Sequence, residues 1–430
     1  MSAVLKKAGH KVDLFEIDDL DRGLSCFLDY IQESRPGLIS ISTNSHQYPY
    51  ARTIARAIRE VYKSLIFIGG VHPTLFPELL EKEEVFDGLC VGEGEDALLE
   101  LVNKIAEGKD YSDVKNFWFR QGKGVVKNDP RRLLENLDTL PFPDRSFFNY
   151  FKKHQGKKIT PRFIFSRGCP FDCAYCCNHA LRQKYAGLGV YLRFRSVDKA
   201  FEEIKKLKNE YDFSHIKLDD DTFSLNKDWL LEFCDKFPKQ FPDLTFECNI
   251  RPGTADIDSL IALKKANCVL IKVGVETGNE NLRRRVLNRQ ITNDDILDLF
   301  KKAKSIGLKT YSFNMVGIPG ETKKTIQETV NLNVRLKPDF MQVTVFYPYL
   351  GTVLGDRCLK EGLIKNGFAD SYMTESILSL PTISKKEIER AAKSFKFDVY
   401  KHYDIKKAAA EKKAQLKGSA VYYLKKLGLK

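Results

Sequence analysis

The chain has 430 residues, enough for two or three domains, and its 43% hydrophobic and 30% charged residues are typical of a soluble protein. No stretch approaches the roughly 18 apolar residues of a membrane-spanning helix, and the first residues lack the pattern of a secretory signal peptide. Outside residues 385–430, which hold 14 Lys and Arg against 5 Asp and Glu, the net charge falls from +13 to about +4, so no nucleic-acid partner is expected.

The first part of the chain alternates between helix and strand patterns. The predicted strands are residues 11–15, 37–42, 65–69 and 88–91. This alternation predicts a Rossmann-like parallel sheet that binds ligands at the carboxyl ends of its strands. Small or polar residues follow three of these strands, namely Ser42, Thr43, Gly69, Gly70, Gly92, Glu93 and Gly94. Glycines there let a backbone approach a bulky ligand, although they also form ordinary turns.

A cysteine motif lies in the middle of the chain. Residues 166–176 read S-R-G-C-P-F-D-C-A-Y-C, which spaces Cys169, Cys173 and Cys176 as C-x3-C-x2-C. Three thiolates at this spacing can bind three irons of a [4Fe-4S] cluster and leave the fourth iron open for a substrate or cofactor. The motif therefore predicts an iron–sulfur centre with an open coordination position.

Two other interpretations of the cysteines remain open. A structural zinc site would need a fourth ligand, for which Cys177 or His179 is available. Buried thiols without any ligand are the second alternative. Arg167 and Gly168 before the first cysteine, and Tyr175 before the last, belong to a known motif and favour the iron–sulfur interpretation.

Six further strand patterns, each followed by a helical stretch, come after residue 160. They cover residues 163–166, 215–219, 245–250, 269–275, 310–316 and 340–346. The pattern predicts a partial (β/α)6 barrel, with the cysteine motif at the carboxyl ends of the strands, where active residues lie. Polar or small residues also follow the later strands: Asp220, Asp221, Arg251, Glu276 and Gly317.

These motifs together resemble the radical S-adenosylmethionine (SAM) enzymes that carry a cobalamin-binding domain. The cysteine motif carries the resemblance, with G-G-V-H-P-T at residues 69–74, V-G-E-G-E at 91–95 and L-P-F-P-D-R at 140–145. It implies that the open iron binds SAM, which is cleaved to a 5′-deoxyadenosyl radical, and that methylcobalamin methylates an unactivated carbon. The alternatives are a cobalamin-linked cyclisation or rearrangement, a radical SAM enzyme with a degenerate N-terminal domain, and a zinc-stabilised binding module.

The resemblance also implies roles for the residues at the strand ends. Asp220 and Asp221 are expected near the SAM ammonium group, and Arg251 near the SAM carboxylate. Glu276 is expected to accept a hydrogen bond from the ribose, and Gly317 belongs to the stretch behind the adenine. Cobalamin is expected at the three strand ends of the N-terminal domain. No catalytic residue is predicted.

The predicted organisation has four parts. A cobalamin-binding-like domain (residues 1–128) is followed by a linker (129–160), a radical SAM barrel (161–360) and a basic helical region (361–430). Because the chain opens at the first helix, we expect a truncated domain without its first strand, which leaves a sheet edge unpaired. No D-x-H-x-x-G motif for cobalt occurs in the sequence, and His72 is expected to be structural.

The resemblance and the composition also predict partners and a compartment. The resemblance implies a small-molecule or lipid-like substrate and an external electron donor such as flavodoxin or ferredoxin. Ten cysteines with three of them clustered favour a reducing compartment, hence the cytoplasm. The basic region predicts helices packed against the barrel, with peripheral membrane contact as the alternative.

Overall fold

Two β-sheets, one after the other along the chain, organise the protein. The computed structural model describes residues 1–17, 20–146, 148, 158–364 and 373–426, with the backbone alone at 21–22 and 417–426. The first sheet, called here the N-terminal sheet, has five strands, and the second, called the barrel sheet, has six. The predicted fold class, a Rossmann-like domain followed by a partial (β/α)6 barrel, is confirmed.

The strands of the N-terminal sheet lie side by side in chain order. They are β1 (Leu38–Ser42), β2 (Leu65–Gly69), β3 (Gly88–Cys90), β4 (Phe117–Gln121) and β5 (Gly124–Lys127). The first three are parallel, and β4 and β5 continue the sheet as an antiparallel hairpin. The helices of this region are α1 (Ser2–Lys7), α2 (Leu20–Ser34), α3 (Tyr48–Val61), α4 (Val71–Leu75), α5 (Leu79–Lys82) and α6 (Glu95–Ala106).

Hydrophobic clusters cover both faces of this sheet. Ile66 and Ile68 of β2 pack on one face with Ile58 of α3, while Phe67 packs on the other with Leu101 of α6. A strand that is buried on both faces reads as a continuous apolar run, as β2 does. The cover on both faces leaves the strand ends as the place where a ligand has access.

The predicted strand at residues 11–15 does not form, so that prediction is wrong. Residues 11–17 have no strand hydrogen bonds, and β1 lies at the edge of the sheet. A strand needs a neighbour for its backbone groups, and none of the described residues supplies one between this segment and β1. A cavity of about 1680 Å³ lies along both segments and extends to Ser42 and Thr43.

The six strands of the barrel sheet are all parallel and follow chain order. They are β6 (Arg162–Phe163), β9 (His215–Leu218), β10 (Thr245–Ile250), β11 (Cys268–Glu276), β12 (Lys309–Val316) and β13 (Phe340–Val345). A small antiparallel pair, β7 (Ser166–Arg167) and β8 (Arg193–Phe194), lies between the first two. The helices are α7 (Cys177–Lys184), α8 (Val197–Glu210), α9 (Lys227–Gln240), α10 (Ile257–Lys265), α11 (Glu280–Arg285), α12 (Asn293–Ser305), α13 (Lys323–Leu336) and α14 (Val353–Lys360).

Alternation along the strands separates a helix-covered core from the barrel interior. On β10, Phe246, Cys248 and Ile250 belong to the core beneath the helices. Glu247 on the opposite face forms an ion pair with Lys272 of β11, with 3.2 Å between Oε1 and Nζ. Because side chains alternate between the faces of a strand, polar residues of these strands point into the barrel.

Two basic helices close the described chain, α15 (Lys385–Tyr400) and α16 (Ile405–Lys426). Ile388, Phe395 and Val399 of α15 are buried in the cluster that also contains Val343 of β13. The prediction that the basic region forms helices packed on the barrel is confirmed. No helix in the described part of the chain combines the length and the apolar character needed to span a bilayer.

Candidate active site

A short loop after β7 carries the three motif cysteines. It begins at Gly168, whose φ of +92° lies in the left-handed region. A Cβ at this position would lie 2.5 Å from the carbonyl oxygen of Tyr191, so only glycine fits. The amide of Ala174 donates to the Leu287 carbonyl at 2.9 Å, and α7 begins directly after Cys176. The loop is therefore held at its start, middle and end.

The cysteine thiols have different proton affinities. A hydrogen bond from Cys177 and contacts with Asn178 lower the pKa of Cys176 to about 7. Burial raises the pKa of Cys169 to about 11, and the negative charge of Asp221 adds to the rise. Asp221 follows β9, and its carboxylate accepts a hydrogen bond from the side chain of Asn178, which lies two residues after Cys176.

Two arginines approach the second motif cysteine, Cys173. The Nη1 atom of Arg251 lies 3.3 Å from the Cys173 sulfur, and its guanidinium lies over the Phe171 ring at 3.8 Å. The Nη1 atom of Arg289 lies 3.8 Å from the same sulfur. Positive charge stabilises a thiolate. Three thiols in one loop, with cationic donors beside them, fit a thiolate-bound iron–sulfur cluster. Arg251, predicted to bind the SAM carboxylate, thus points at a cysteine sulfur.

The arrangement gives no support to a zinc site. Within the described ranges, no three or more His, Cys, Asp or Glu side chains converge as ligands of a single ion. His179 instead lies 3.4 Å from Asp172 and 3.0 Å from Gln183, measured from Nε2. A four-iron cluster separates its ligands more widely, because each thiolate binds a different iron.

Asp220 supports the strand before the cysteine loop. It is buried, and its Oδ1 accepts hydrogen bonds from the amides of Phe165 at 2.9 Å and Ser166 at 2.6 Å, and from the Ser166 hydroxyl. Burial raises its pKa to about 6. This geometry favours a structural role for Asp220 over the predicted contact with SAM.

Glu276 lies at the end of β11 with an unusual backbone. Its φ of +65° is in the left-handed region, and its Oε1 accepts a hydrogen bond from the Tyr175 hydroxyl at 3.1 Å. The carboxylate also pairs with Arg289 at 3.8 Å. A Cβ on Gly274 would lie 2.5 Å from Glu276 Oε1, so the missing side chain makes room for this conformation. Strained backbone is typical of functional sites.

Gly317 forms a turn after β12 with φ of +82°. Its amide and that of Ile318 donate to Oε2 of the buried Glu321. Burial raises the pKa of Glu321 to about 8. A Cβ on Gly317 would lie 2.9 Å from Ile388 of α15, which explains the glycine by packing within the protein.

The first two strand ends of the N-terminal sheet differ in access. Ser42 and Thr43 line the large cavity beside β1. Gly70 has φ of +97°, and a Cβ there would lie 2.6 Å from the Thr43 carbonyl oxygen. At Gly69 a Cβ would meet only Cys90, at an ordinary 3.7 Å. The chain itself therefore requires glycine at position 70, whereas position 69 has room.

The loop after β3 is covered by other parts of the chain. Gly92 has φ of +96°, and a Cβ there would lie 3.1 Å from the Tyr185 ring. A Cβ on Gly94 would lie 3.0 Å from the sulfur of Met1. These two glycines serve close packing within the protein, so the predicted cobalamin contacts are not needed to explain them.

Glu93 ties this loop to the barrel. Its carboxylate pairs with Arg193 at 2.7 Å and with Arg167 at 2.9 Å. Arg167 also pairs with Glu95 at 2.6 Å, and it lies two residues before Cys169. Hydrogen bonds from Arg193 and the charge of Arg167 outweigh burial and lower the pKa of Glu93. Four charged residues therefore join the loop after β3 to the β7–β8 pair, next to the cysteine loop.

Comparisons with known families identify both parts of the chain. The sequence model described as Radical SAM superfamily matches residues 163–332, and the one described as B12 binding domain matches residues 1–102. The chain therefore carries a B12-binding domain followed by a radical SAM domain. It is an enzyme whose radical SAM barrel follows a B12-binding domain, as predicted.

Individual relatives and a solved structure match most of this chain. An uncharacterized methyltransferase of Pyrococcus horikoshii is 25% identical over 391 residues, which cover 90% of this chain and 84% of the relative. The anaerobic magnesium-protoporphyrin IX monomethyl ester cyclase of Cereibacter sphaeroides is 26% identical, over 82% of this chain and 58% of the cyclase. Among solved structures, the radical SAM methyltransferase TsrM from Kitasatospora setae, with tryptophan and a SAM analogue bound, has a TM-score of 0.70 at 17% identity. The match covers 94% of this chain and 85% of TsrM, and it shows a shared fold.

A buried histidine in the B12-binding domain tests whether the residues fit cobalamin. His72 of α4 contacts Ser45 at 3.0 Å through Nδ1 and lies 4.4 Å from the Tyr48 ring. Its Nε2 has no hydrogen-bond partner among the described residues, and burial lowers its pKa to about 4. Its amide donates to the Thr43 carbonyl at 3.3 Å. An orphaned neutral nitrogen beside this strand end, together with the cavity at Thr43, fits a polar part of a bound cofactor.

Sequence reasoning missed several charged residues of the radical SAM site. Arg289 follows β11 by 13 positions and belongs to no recognisable motif. Arg193 lies on a two-residue strand that no periodicity reveals. Arg167 was recognised only as part of the cysteine motif, although its ion pairs with Glu93 and Glu95 give it a second role. Pairing between distant acids and bases would have been the only available signal.

Proposed function

We propose that the protein is a cobalamin-dependent radical SAM methyltransferase that acts on an unactivated carbon of a small molecule. One observation carries the proposal. The loop with the three motif cysteines lies at the barrel mouth, and the ion pairs of Arg167 with Glu93 and Glu95 hold the B12-binding domain against the same loop. Two cofactor domains joined at one loop suit a reaction that uses both cofactors.

In this proposal the cysteine loop and the strand ends hold the cofactors. Cys169, Cys173 and Cys176 bind three irons of a [4Fe-4S] cluster, and Glu276 and Asp221 bind polar groups of SAM. Ser42 and Thr43, which line the large cavity, and the neighbouring strand end at Gly69 and His72 receive cobalamin. When bound, the cluster and SAM supply the radical chemistry, and cobalamin supplies the methyl transfer.

The residues of the chain position these groups and exclude water. The Tyr175 hydroxyl and Arg289 fix the Glu276 carboxylate, so its free oxygen is aimed by packing and needs little reorganisation. Burial raises the pKa of Tyr175 well above its ordinary value, which keeps its hydroxyl a hydrogen-bond donor. Tyr185 covers Gly92 between the two domains, which limits access of water to the loop.

Two similar proteins favour methyl transfer over the alternatives. They are the uncharacterized methyltransferase of Pyrococcus horikoshii and the methyltransferase TsrM of Kitasatospora setae, and each match covers at least 90% of this chain. Proteins of this superfamily need a reductant and act on small substrates. Flavodoxin or ferredoxin is our proposed reductant.

All ten cysteines are free, which supports a reducing compartment such as the cytoplasm.

We propose that the chain has the four parts predicted from the sequence. The family matches at residues 1–102 and 163–332 fall inside the proposed B12-binding domain (1–128) and barrel (161–360).

Peripheral membrane contact through the basic helices is a further proposal. It is supported by Ile405 and Leu416 of α16, which are 79% and 67% exposed among lysines. Co-sedimentation with anionic vesicles would test this contact.

Anaerobic reconstitution with iron, sulfide and hydroxocobalamin tests the function. We expect the visible and paramagnetic spectra of a [4Fe-4S] cluster, and corrin absorbance that stays with the protein through gel filtration. Changing Cys169, Cys173 or Cys176 to Ala should abolish the cluster, while Cys177→Ala should keep it. Retained corrin without any cluster, or a cluster that survives Cys176→Ala, would contradict the proposal.

A further inference from the structure

Two guanidinium groups from separate elements meet at one cysteine sulfur. Arg251 follows β10 and donates to the Cys173 sulfur at 3.3 Å, and Arg289 follows α11 and approaches it at 3.8 Å. Cys173 is only 6% exposed, and the Arg289 side chain only 8%. Water therefore screens these contacts little, and each charge acts strongly on the sulfur.

Both arginines are fixed in place by other contacts. Arg289 Nη2 donates to the Gly274 carbonyl at 2.9 Å, and its Nη1 donates to the Tyr175 hydroxyl at 3.1 Å. The guanidinium of Arg251 is stacked on the Phe171 ring at 3.8 Å. A side chain held on several sides keeps its distance to the sulfur, so the contacts are a built feature of the site.

The surroundings of Cys176 are different. Its sulfur receives a hydrogen bond from the neutral amide of Asn178 at 3.9 Å and lies beside the Cys177 thiol. The charge-assisted donors are therefore concentrated at Cys173. Hydrogen bonds to a charged group are stronger than those between neutral groups.

We propose that Arg251 and Arg289 are positioning residues that raise the reduction potential of the cluster through the Cys173 sulfur. The inference rests on the proposed function, which places a cluster on this cysteine. Reduction adds an electron, and its negative charge spreads onto the thiolate ligands. Donors and positive charge at a ligand sulfur stabilise the reduced state more than the oxidised state, which raises the potential.

The test compares Arg251→Gln and Arg289→Gln with the unchanged protein, after anaerobic reconstitution. Arg182→Gln is the matched control, because Arg182 pairs with Asp172 in the same loop but donates to no cysteine. A redox titration followed by paramagnetic resonance gives the midpoint potential, and iron and sulfide analysis gives cluster content. We expect the midpoint potential of each test variant to fall by about 59 mV. For a one-electron couple this corresponds to a tenfold smaller preference for the reduced cluster.

The possible results distinguish a failure of this inference from a failure of the proposed function. Unchanged potentials in both variants, with full cluster content, would overturn the inference and leave the proposed function intact. A shift of the same size in Arg182→Gln would also overturn it, because general loop charge would then explain the effect. If Arg251→Gln lost the cluster, Arg251→Lys, which keeps the charge, should keep a potential near that of the unchanged protein. Absence of any cluster in the unchanged protein would instead refute the proposed function.

Discussion

At the level of single residues, the site depends on where carboxylates are buried. Glu276 combines a left-handed backbone with contacts to Tyr175 and Arg289, which leaves little freedom to its side chain. We expect Glu276→Gln to weaken SAM binding by about 1.5–3 kcal/mol, the usual value of a hydrogen bond to a charged group, while cluster content stays unchanged. Equilibrium binding of SAM to the reconstituted protein measures the effect.

Tyr175→Phe is the matched control for this prediction. It removes the hydroxyl that Glu276 accepts from but leaves the carboxylate in place. SAM affinity should therefore fall less than in Glu276→Gln. Normal affinity in Glu276→Gln would assign Glu276 a purely structural role.

Asp220 predicts a dependence of stability on pH. Its folded pKa of about 6 lies above the ordinary value of 3.8, because burial penalises the charged form. The folded state therefore binds more protons than the unfolded state between about pH 4 and 6, and stability falls as pH rises through this window, by about 1.4 kcal/mol for each unit of pKa difference. Asp220→Asn keeps an acceptor for Phe165 and Ser166 but does not titrate.

Urea unfolding of both proteins at about pH 4.5 and about pH 7.5 tests the linkage. The free energy of unfolding of Asp220→Asn minus that of the unchanged protein should be larger at about pH 7.5 than at about pH 4.5. A difference that is equal at both pH values would show that Asp220 keeps an ordinary pKa in the folded protein.

At the level of elements, the junction between the β3 loop and the barrel depends on Glu93. Its carboxylate pairs with Arg167 and Arg193 and is only 20% exposed. Glu93→Gln removes the partner charge of Arg193 and leaves Arg167 paired with Glu95 alone, so we expect a loss of about 3 kcal/mol in the free energy of unfolding. Chemical denaturation measures it. Glu81→Gln, which breaks an exposed pair with Lys127, should cost much less, because water screens an exposed ion pair. Equal losses in both variants would contradict a special role for Glu93.

Gly69 and Gly70, at the end of β2, should respond differently to substitution by alanine. Gly70→Ala should destabilise the protein by about 1–3 kcal/mol, because the new Cβ meets the Thr43 backbone at a positive φ. Gly69→Ala should leave the thermal unfolding midpoint nearly unchanged, since its Cβ would make only an ordinary contact. Equal destabilisation by both would refute this reading of the strand end. Gly69 is thus the better position for testing cobalamin uptake.

Sequence patterns predicted these elements well where local chemistry decides the structure. The six barrel strands and the cysteine loop follow from alternation and spacing within short windows. The segment at 11–15 has strand-like residues, but its hydrogen bonds depend on a neighbour that no local pattern reveals. The same limit explains Arg289 and the partners of Glu93, whose contacts join positions far apart in the sequence.

At the level of the whole molecule, charged residues join the two domains beside the cysteine loop, where the proposed function needs both cofactors. Both cofactors are therefore expected to act in one preparation. The most direct measurement incubates the anaerobic protein with SAM and a reductant and quantifies the products by mass spectrometry. With cobalamin present, S-adenosylhomocysteine and 5′-deoxyadenosine should both form. Without cobalamin, only 5′-deoxyadenosine should form, and Cys173→Ala should abolish it. A fully loaded, reduced protein that makes no S-adenosylhomocysteine would contradict the methyltransferase account.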